Sequence, residues 1–190
     1  MLDQINIIMF RAINHFAGNN IFMDKLGILT AKYLPIVFIL FLIYLWFSKN
    51  KNKEPALYSG YSAILGLLLN FFITLFYFHP RPFVDKIGTL LINHVPDSSF
   101  PSDHTTFMLS ITFMLLYFKK TRKAGLILSV LGILGGIARI FCGLHYPFDI
   151  IGSFLVAIIS SGLIFIFREQ IHKFNKQIIS LYYRILKIKN

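Results

Sequence analysis

The chain has 190 residues, of which 56% are hydrophobic and only 14% charged, against about 25% charged in an ordinary soluble domain. That balance excludes a typical water-soluble globule and points to a polytopic membrane protein. The net charge of +11 admits nucleic acid, anionic headgroups or an anionic substrate, and the single cysteine, Cys142, excludes an internal disulfide.

The first element is an amphipathic helix. Ile5, Ile8, Met9, Ala12, Ile13 and Phe16 recur at helical spacing, which suits either the membrane interface or the flank of a bundle. Asp3 and Arg11 interrupt this run and no small-residue cleavage site follows, so no signal peptide is expected. Five apolar runs come next, at about 26–47, 57–78, 102–118, 124–141 and 148–167, each approaching the roughly 20 residues that cross a bilayer. The last element repeats the amphipathic pattern with Ile171, Phe174, Ile178, Tyr182 and Ile185 and basic residues between them. Such a helix suits an anionic leaflet. The expected fold is an all-α polytopic membrane helix bundle with five transmembrane spans and an interfacial amphipathic helix at each end. Residues 1–190 then form one membrane-embedded domain.

Charge position decides among the three partners. Lys49, Lys51 and Lys53 lie between spans one and two, and Lys119, Lys120, Arg122 and Lys123 between three and four. Arg168, Lys173, Lys176, Arg184, Lys187 and Lys189 follow span five. Under this topology most of the 19 Lys and Arg fall on one side, which the positive-inside rule makes cytoplasmic. Nucleic acid is therefore not the expected partner. The N-terminus, the 79–101 loop and the 142–147 turn are expected outside.

The polar residues left on that outer side are few. Arg81 ends span two in "FHPRPF" and Arg139 lies near the end of span four. Charge at membrane depth is costly and marks function by default. Arginine's planar fork suits a phosphate. In "FPSDH", residues 100–104, Pro101 or Ser102 falls at a helix start, where free N–H groups form an anion site. His104 stands one turn in. In "RIFCGLHYPFD", Pro147 fits the first position of the last span, so Asp149 can reach back to His145. That bond fixes the imidazole tautomer and leaves the other nitrogen free to attack. Each residue singly has a bland reading: a snorkelling arginine, an interfacial histidine, a helix-dipole carboxylate. Together they are the set that phosphoryl transfer through a histidine requires.

"RP" at 81–82, "PSDH" at 101–104 and "R-x5-H-x3-D" at 139–149 resemble the three motifs of the type 2 phosphatidic acid phosphatase superfamily. "INHFAGNN", "ITLFYFHPRPF", "SFPSDHTT" and "ARIFCGLHYPFDIIGS" are similar to its bacitracin-resistance type of undecaprenyl-diphosphate phosphatase. The resemblance implies that His145 is the phosphorylated nucleophile, that Asp149 orients it and that His104 protonates the leaving oxygen. It implies that Arg81, Arg139, Ser102 and the N–H groups near Asp103 hold the phosphoryl oxygens, with no metal and no cofactor. The implied substrate is a polyprenyl diphosphate lipid, hydrolysed at the outer face of a bacterial plasma membrane with the C-terminus cytoplasmic. This sequence departs from the family at Thr74, where a lysine is usual, at Asp103, where glycine is common, and at Ala138, where serine is common. Seven residues is close to two helical turns, so Thr74 is expected on the face of Arg81, with Lys86 or His79 as alternative aids to the clamp. His15, His79, His94 and His172 receive no task.

Three other readings stay open: the same chemistry on phosphatidylglycerophosphate or another lipid phosphate, a serine hydrolase built on Ser102, and a non-enzymatic carrier of anionic lipid. The serine hydrolase leaves Arg81 and Arg139 without a role.

Overall fold

The computed structural model describes residues 1–48 and 52–186. It contains seven helices among them: α1 (Leu2–Asn14), α2 (Ile21–Phe47), α3 (Lys53–Phe76), α4 (Asp103–Tyr117), α5 (Arg122–Phe141), α6 (Pro147–Ile166) and α7 (Arg168–Ile185). The starts follow local chemistry. The Asn20 side chain accepts from the Phe22 and Met23 N–H groups at 2.9 and 3.2 Å, capping α2. Pro147 opens α6, where its missing N–H costs nothing.

Four helices, α2, α3, α5 and α6, are long and apolar enough to cross a membrane, not the five expected. The run at 102–118 is the one that falls short. Its helix, α4, has 15 residues, which is about 22 Å against a hydrocarbon core of about 30 Å. It also carries Asp103, His104, Thr105, Thr106, Ser110 and Thr112. Its side chains are mostly buried, whereas α2 exposes Leu26, Leu29, Ile36, Leu40 and Ile43. So α4 is a short inner helix enclosed by the four longer ones, and the apolar run that resembled a span is a core element. Apolarity does not separate the two; only the short length and the polar residues of the run do.

Apolar contact gives little drive to helix association where lipid is equally apolar, so close approach and polar contacts matter more. The bundle centre shows both. A Cβ on Gly66 of α3 would lie 2.6 Å from the Ser110 hydroxyl and 3.0 Å from Thr106 of α4. Ser110 lies 3.0 Å from Ser160 of α6, and Ser62 donates to the Ser110 carbonyl at 3.0 Å. Phe38, Leu45, Ala63, Met108, Ile111, Leu115 and Leu128 fill the space around them.

The two ends of the bundle differ. At one end Tyr58 donates to the Arg168 carbonyl at 2.9 Å and stacks on Phe118, while Lys53 lies over Trp46, Tyr182 and Tyr183. The basic segments around 53, 119–123 and 168–184 therefore share this end. Lys49, Lys51, Lys187 and Lys189 lie outside the described residues. At the other end the 77–101 segment and the 142–146 turn meet beneath α1. The buried side of α1 is Asn6, Phe10 and Asn14. The apolar stripe that made it legible, with Ile5, Ile8, Met9 and Phe16, is exposed.

Gly60, one and a half turns from Gly66, has nothing within 4 Å of its Cβ position. Gly66→Val is expected to lower the thermal midpoint in detergent through an overpacking cost of about 1–3 kcal/mol, and Gly60→Val to leave it unchanged or raise it. Equal midpoints for the two variants would remove the close α3–α4 contact from the account.

Candidate active site

His145 sits in the turn between α5 and α6 and is 1% exposed. The turn is held by Gly143 in a left-handed conformation, φ 79°, where a side chain would strike the Thr89 carbonyl at 2.4 Å. The imidazole is fixed from both edges. Nδ1 lies 2.8 Å from the Ser99 carbonyl. Nε2 lies 3.1 Å from Arg81 Nη1 and 3.3 Å from Arg139 Nη2. A carbonyl only accepts and a guanidinium only donates. The hydrogen is therefore on Nδ1, and the lone pair of Nε2 faces two cations. Burial, with those cations, pushes the His145 imidazole down to about 4, which keeps it neutral near pH 7.

Arg81 is anchored by the loop that precedes α4 and by the turn, and Arg139 by α2. Arg81, 5% exposed, donates through Nε to Asp97 at 2.6 Å, through Nη1 to the Leu144 carbonyl at 3.0 Å and through Nη2 to the Ser98 carbonyl at 3.3 Å. Arg139, 4% exposed, donates to the Ala31 carbonyl of α2 at 3.4 Å. Its Nε is buried with no acceptor. An unsatisfied buried donor costs about 1–3 kcal/mol, more when charged, so this N–H is free to donate to an acceptor that enters the site.

Asp149 lies in the first turn of α6 and does two things. It accepts from the Tyr146 N–H at 2.7 Å, which caps its own helix, and it accepts from the Ser99 hydroxyl. Its Oδ2 is 3.6 Å from His145 Nδ1. The shorter contact to that nitrogen belongs to the Ser99 carbonyl, so the carboxylate acts on the ring as a nearby charge. Its other oxygen, Oδ1, faces His79 Nδ1 at 3.4 Å.

Ser102 and Asp103 open α4. Ser102 is buried; its hydroxyl accepts from Thr105 at 3.1 Å and makes no cap bond, so no side chain caps the N–H groups of the first turn. Its carbonyl accepts from Ser153 of α6 at 3.0 Å, which fixes this start beside the turn that carries His145. His104 is half-buried; burial, with Arg139, His145, His94 and Arg81 nearby, pushes its imidazole down to about 3. The structure thus brings Arg81, Arg139, His145, Asp149, Ser102 and His104 to one end of the bundle. Thr74 lies near the same end, two residues before α3 stops, but not in helical register with Arg81. Helix α3 ends at Phe76, so the two-turn register from Thr74 does not carry to Arg81, and the Thr74 hydroxyl donates to the Phe71 carbonyl at 2.8 Å.

Four contributors went unread in the sequence. Asn70 of α3, fully buried, donates to Asp103 at 2.8 Å and to Thr106 at 3.0 Å, so the Asp103 carboxylate is tied to α3. A lone asparagine within an apolar run was the available signal. Asp97, Ser98 and Ser99 form the polar stretch just before "FPSDH" and supply a counter-charge, a carbonyl for Arg81 and the two groups at His145 and Asp149. His79 is the fifth polar residue here that the sequence left without a task.

This geometry can hold a phosphoryl group between two guanidiniums and a helix start, with an imidazole lone pair aimed at it. Comparison with known proteins places the chain in a family. Residues 55–173 match the family model described as the PAP2 superfamily. The chain is 38% identical over 183 residues to undecaprenyl-diphosphatase BcrC of Bacillus subtilis, covering 96% of this chain and 94% of that protein. It is 29% identical over 160 residues to the putative undecaprenyl-diphosphatase YbjG of Escherichia coli, covering 84% and 80%. Among solved structures, that of Aquifex aeolicus LpxE superposes with a TM-score of 0.73 at 27% identity, covering 85% of this chain and 94% of that one. The chain belongs to the PAP2 superfamily, as a multi-pass bacterial membrane lipid phosphatase related to the BcrC-type enzymes and acting on a membrane-bound phosphorylated lipid.

Proposed function

We propose that the protein hydrolyses undecaprenyl diphosphate to undecaprenyl phosphate and inorganic phosphate through a phosphohistidine on His145. The observation that carries the mechanism is the Nε2 lone pair of His145 facing Arg81 and Arg139 at 3.1 and 3.3 Å. Substrate choice rests on the likeness to the BcrC-type enzyme over nearly the whole chain.

In the first step the Nε2 lone pair attacks the terminal phosphorus. The bridging P–O bond breaks, and His104, which takes up a proton from water as the negative charge of the bound diphosphate offsets its burial and the neighbouring cations, donates it to the departing undecaprenyl phosphate oxygen. Arg81, Arg139, Ser102 and the N–H groups at the start of α4 hold the oxygens of the transferring group, where preplaced donors are most effective. The imidazole becomes a phosphoimidazolium whose positive charge is met by Asp149 and the Ser99 carbonyl at Nδ1. In the second step water gives a proton to His104 and attacks phosphorus. The P–N bond breaks, His145 recovers its lone pair and inorganic phosphate leaves. No metal enters this sequence.

The site occupies the end of the bundle opposite the basic segments, which supports an outward-facing site and a cytoplasmic C-terminus by the positive-inside rule. The prenyl tail stays in lipid while the diphosphate reaches the arginines. An apolar groove of about 290 Å³ between α2, α3 and α4, lined by Pro35, Ile39, Leu67 and Phe107 and ending at Asp103 and His104, supports that arrangement. Hydrolysis on the outer leaflet returns the wall-synthesis carrier to its monophosphate form and competes with bacitracin for the diphosphate.

His145→Ala is expected to abolish phosphate release from undecaprenyl diphosphate by purified protein in detergent, with lipid binding retained. Arg139→Ala is expected to lower turnover about a hundredfold to a thousandfold, the loss typical of one transition-state donor. Label from a phosphate-labelled substrate should appear on an acid-labile, base-stable adduct. Unchanged turnover in His145→Ala excludes the mechanism, and faster hydrolysis of phosphatidic acid or phosphatidylglycerophosphate excludes the substrate.

A second expectation concerns Asp103. Asn70→Ala releases its carboxylate beside the phosphate site, so turnover should fall about tenfold, in line with a hydrogen bond to a charged group. Adding Asp103→Gly should restore most of it. A double variant as slow as Asn70→Ala would show that Asn70 acts through packing instead.

A further inference from the structure

Asp149 has an imidazole on each side. His145, the nucleophile of the proposed mechanism, lies 3.6 Å from Oδ2; His79 lies 3.4 Å from Oδ1. Each of the two facing atoms, His79 Nδ1 and Asp149 Oδ1, is buried and has no other partner. The two histidines differ in access. His145 is 1% exposed, whereas the His79 side chain is 23% exposed. His79 and Asp149 both line a cleft of about 490 Å³ between α1, α3 and α6, with Asp3, Asn6, Ile73, Tyr77, Phe100 and Phe148 around it. This cleft opens on the side of Asp149 away from the nucleophile.

We propose that His79 is a positioning residue that sets how much of the Asp149 charge is available to His145, and that it does so from the solvent cleft. The idea rests on the phosphohistidine mechanism above. When His79 is neutral, the carboxylate is free to stabilise the phosphoimidazolium as it forms. When His79 is protonated, it neutralises the same carboxylate from the far side and weakens that support. Protons in the cleft therefore act on the buried nucleophile without reaching it.

The groups around His79 favour its charged form. Asp149 on α6 faces its ring, Asp85 of the 77–101 segment and Asp3 on α1 add negative charge, and the Tyr77 and Tyr146 rings pack against its faces. The Asp85 carboxylate itself accepts from the Tyr146 hydroxyl at 2.9 Å. The contact with Asp149 raises the His79 pKa above the ordinary histidine value, against the opposing effect of burial. The sign follows: His79 stays protonated to a higher pH than a free histidine, and the enzyme gains rate as pH rises through that point.

His79→Gln tests this, because a glutamine amide can still donate to Asp149 but never carries charge. The quantity to measure is the ratio of kcat/KM for the variant to that of the wild type, on whichever lipid phosphate the wild type hydrolyses fastest. Ionisations that His79 does not influence are common to both proteins and cancel in the ratio, which leaves its effect through Asp149. The ratio should be roughly fivefold higher at pH about 5.5 than at pH about 8.5. A flat ratio, high or low, overturns the proposal, since a packing role alone would give it; so does a ratio that falls toward acid. Absence of hydrolysis by the wild type would instead fail the phosphatase reading. A second measurement needs no His79 variant. Exchange of the histidine Cε1 hydrogens, read by mass spectrometry on wild-type protein, should place the His79 midpoint above about 6.5 and lower it in Asp149→Asn. A wild-type midpoint at or below that value overturns the proposal.

Discussion

Two buried guanidiniums converge on one nitrogen. Arg81 and Arg139 carry like charge, are almost wholly removed from solvent and point at the same His145 lone pair. In a medium of low dielectric that arrangement is unfavourable unless something holds it. The rest of this end of the molecule is that scaffold: Asp97 and two carbonyls on Arg81, the Ala31 carbonyl on Arg139, and Ser99 on the imidazole. A phosphoryl group brings the missing negative charge. In the proposed mechanism the transition state, with charge spread over the equatorial oxygens, would be met by these donors.

The scaffold is assembled by helix α1 and the 77–101 segment. The Asn14 side chain donates to the Thr89 and Phe141 carbonyls at 2.9 and 2.7 Å and accepts from the Thr89 N–H at 2.7 Å. Asn6 accepts from the Phe148 N–H at 3.0 Å, and Phe10 packs edge-on to Tyr146. Three residues on one stripe of α1 thus tie the loop to the end of α5 and the start of α6. The turn that carries His145 lies between those two points.

The motif residues were legible because each is costly in a membrane protein: Arg81, Arg139, His145 and Asp149 stand out against apolar neighbours. Four of the expected spans were legible for the complementary reason, as long runs with few charges. The inner helix α4 was misread because burial by protein and burial by lipid demand the same apolar residues; only its 15-residue length and its Thr and Ser content separate it. Thr74 was misplaced because a helical register was extended past Phe76, where the helix stops. Ser99, Asn14 and Asn70 act through contacts between segments far apart in sequence, and single polar residues carry no spacing that announces such contacts.

The bond from Arg139 to Ala31 has a geometric consequence. Ala31 lies about three turns inside α2, so the Arg139 guanidinium beside His145 is held between the helices and not at the Ile21 end of α2. Under the proposed mechanism a lipid phosphate has to enter this recess to meet the imidazole. The length of flexible linkage between phosphate and anchor then becomes a natural filter on which lipids the recess can accept.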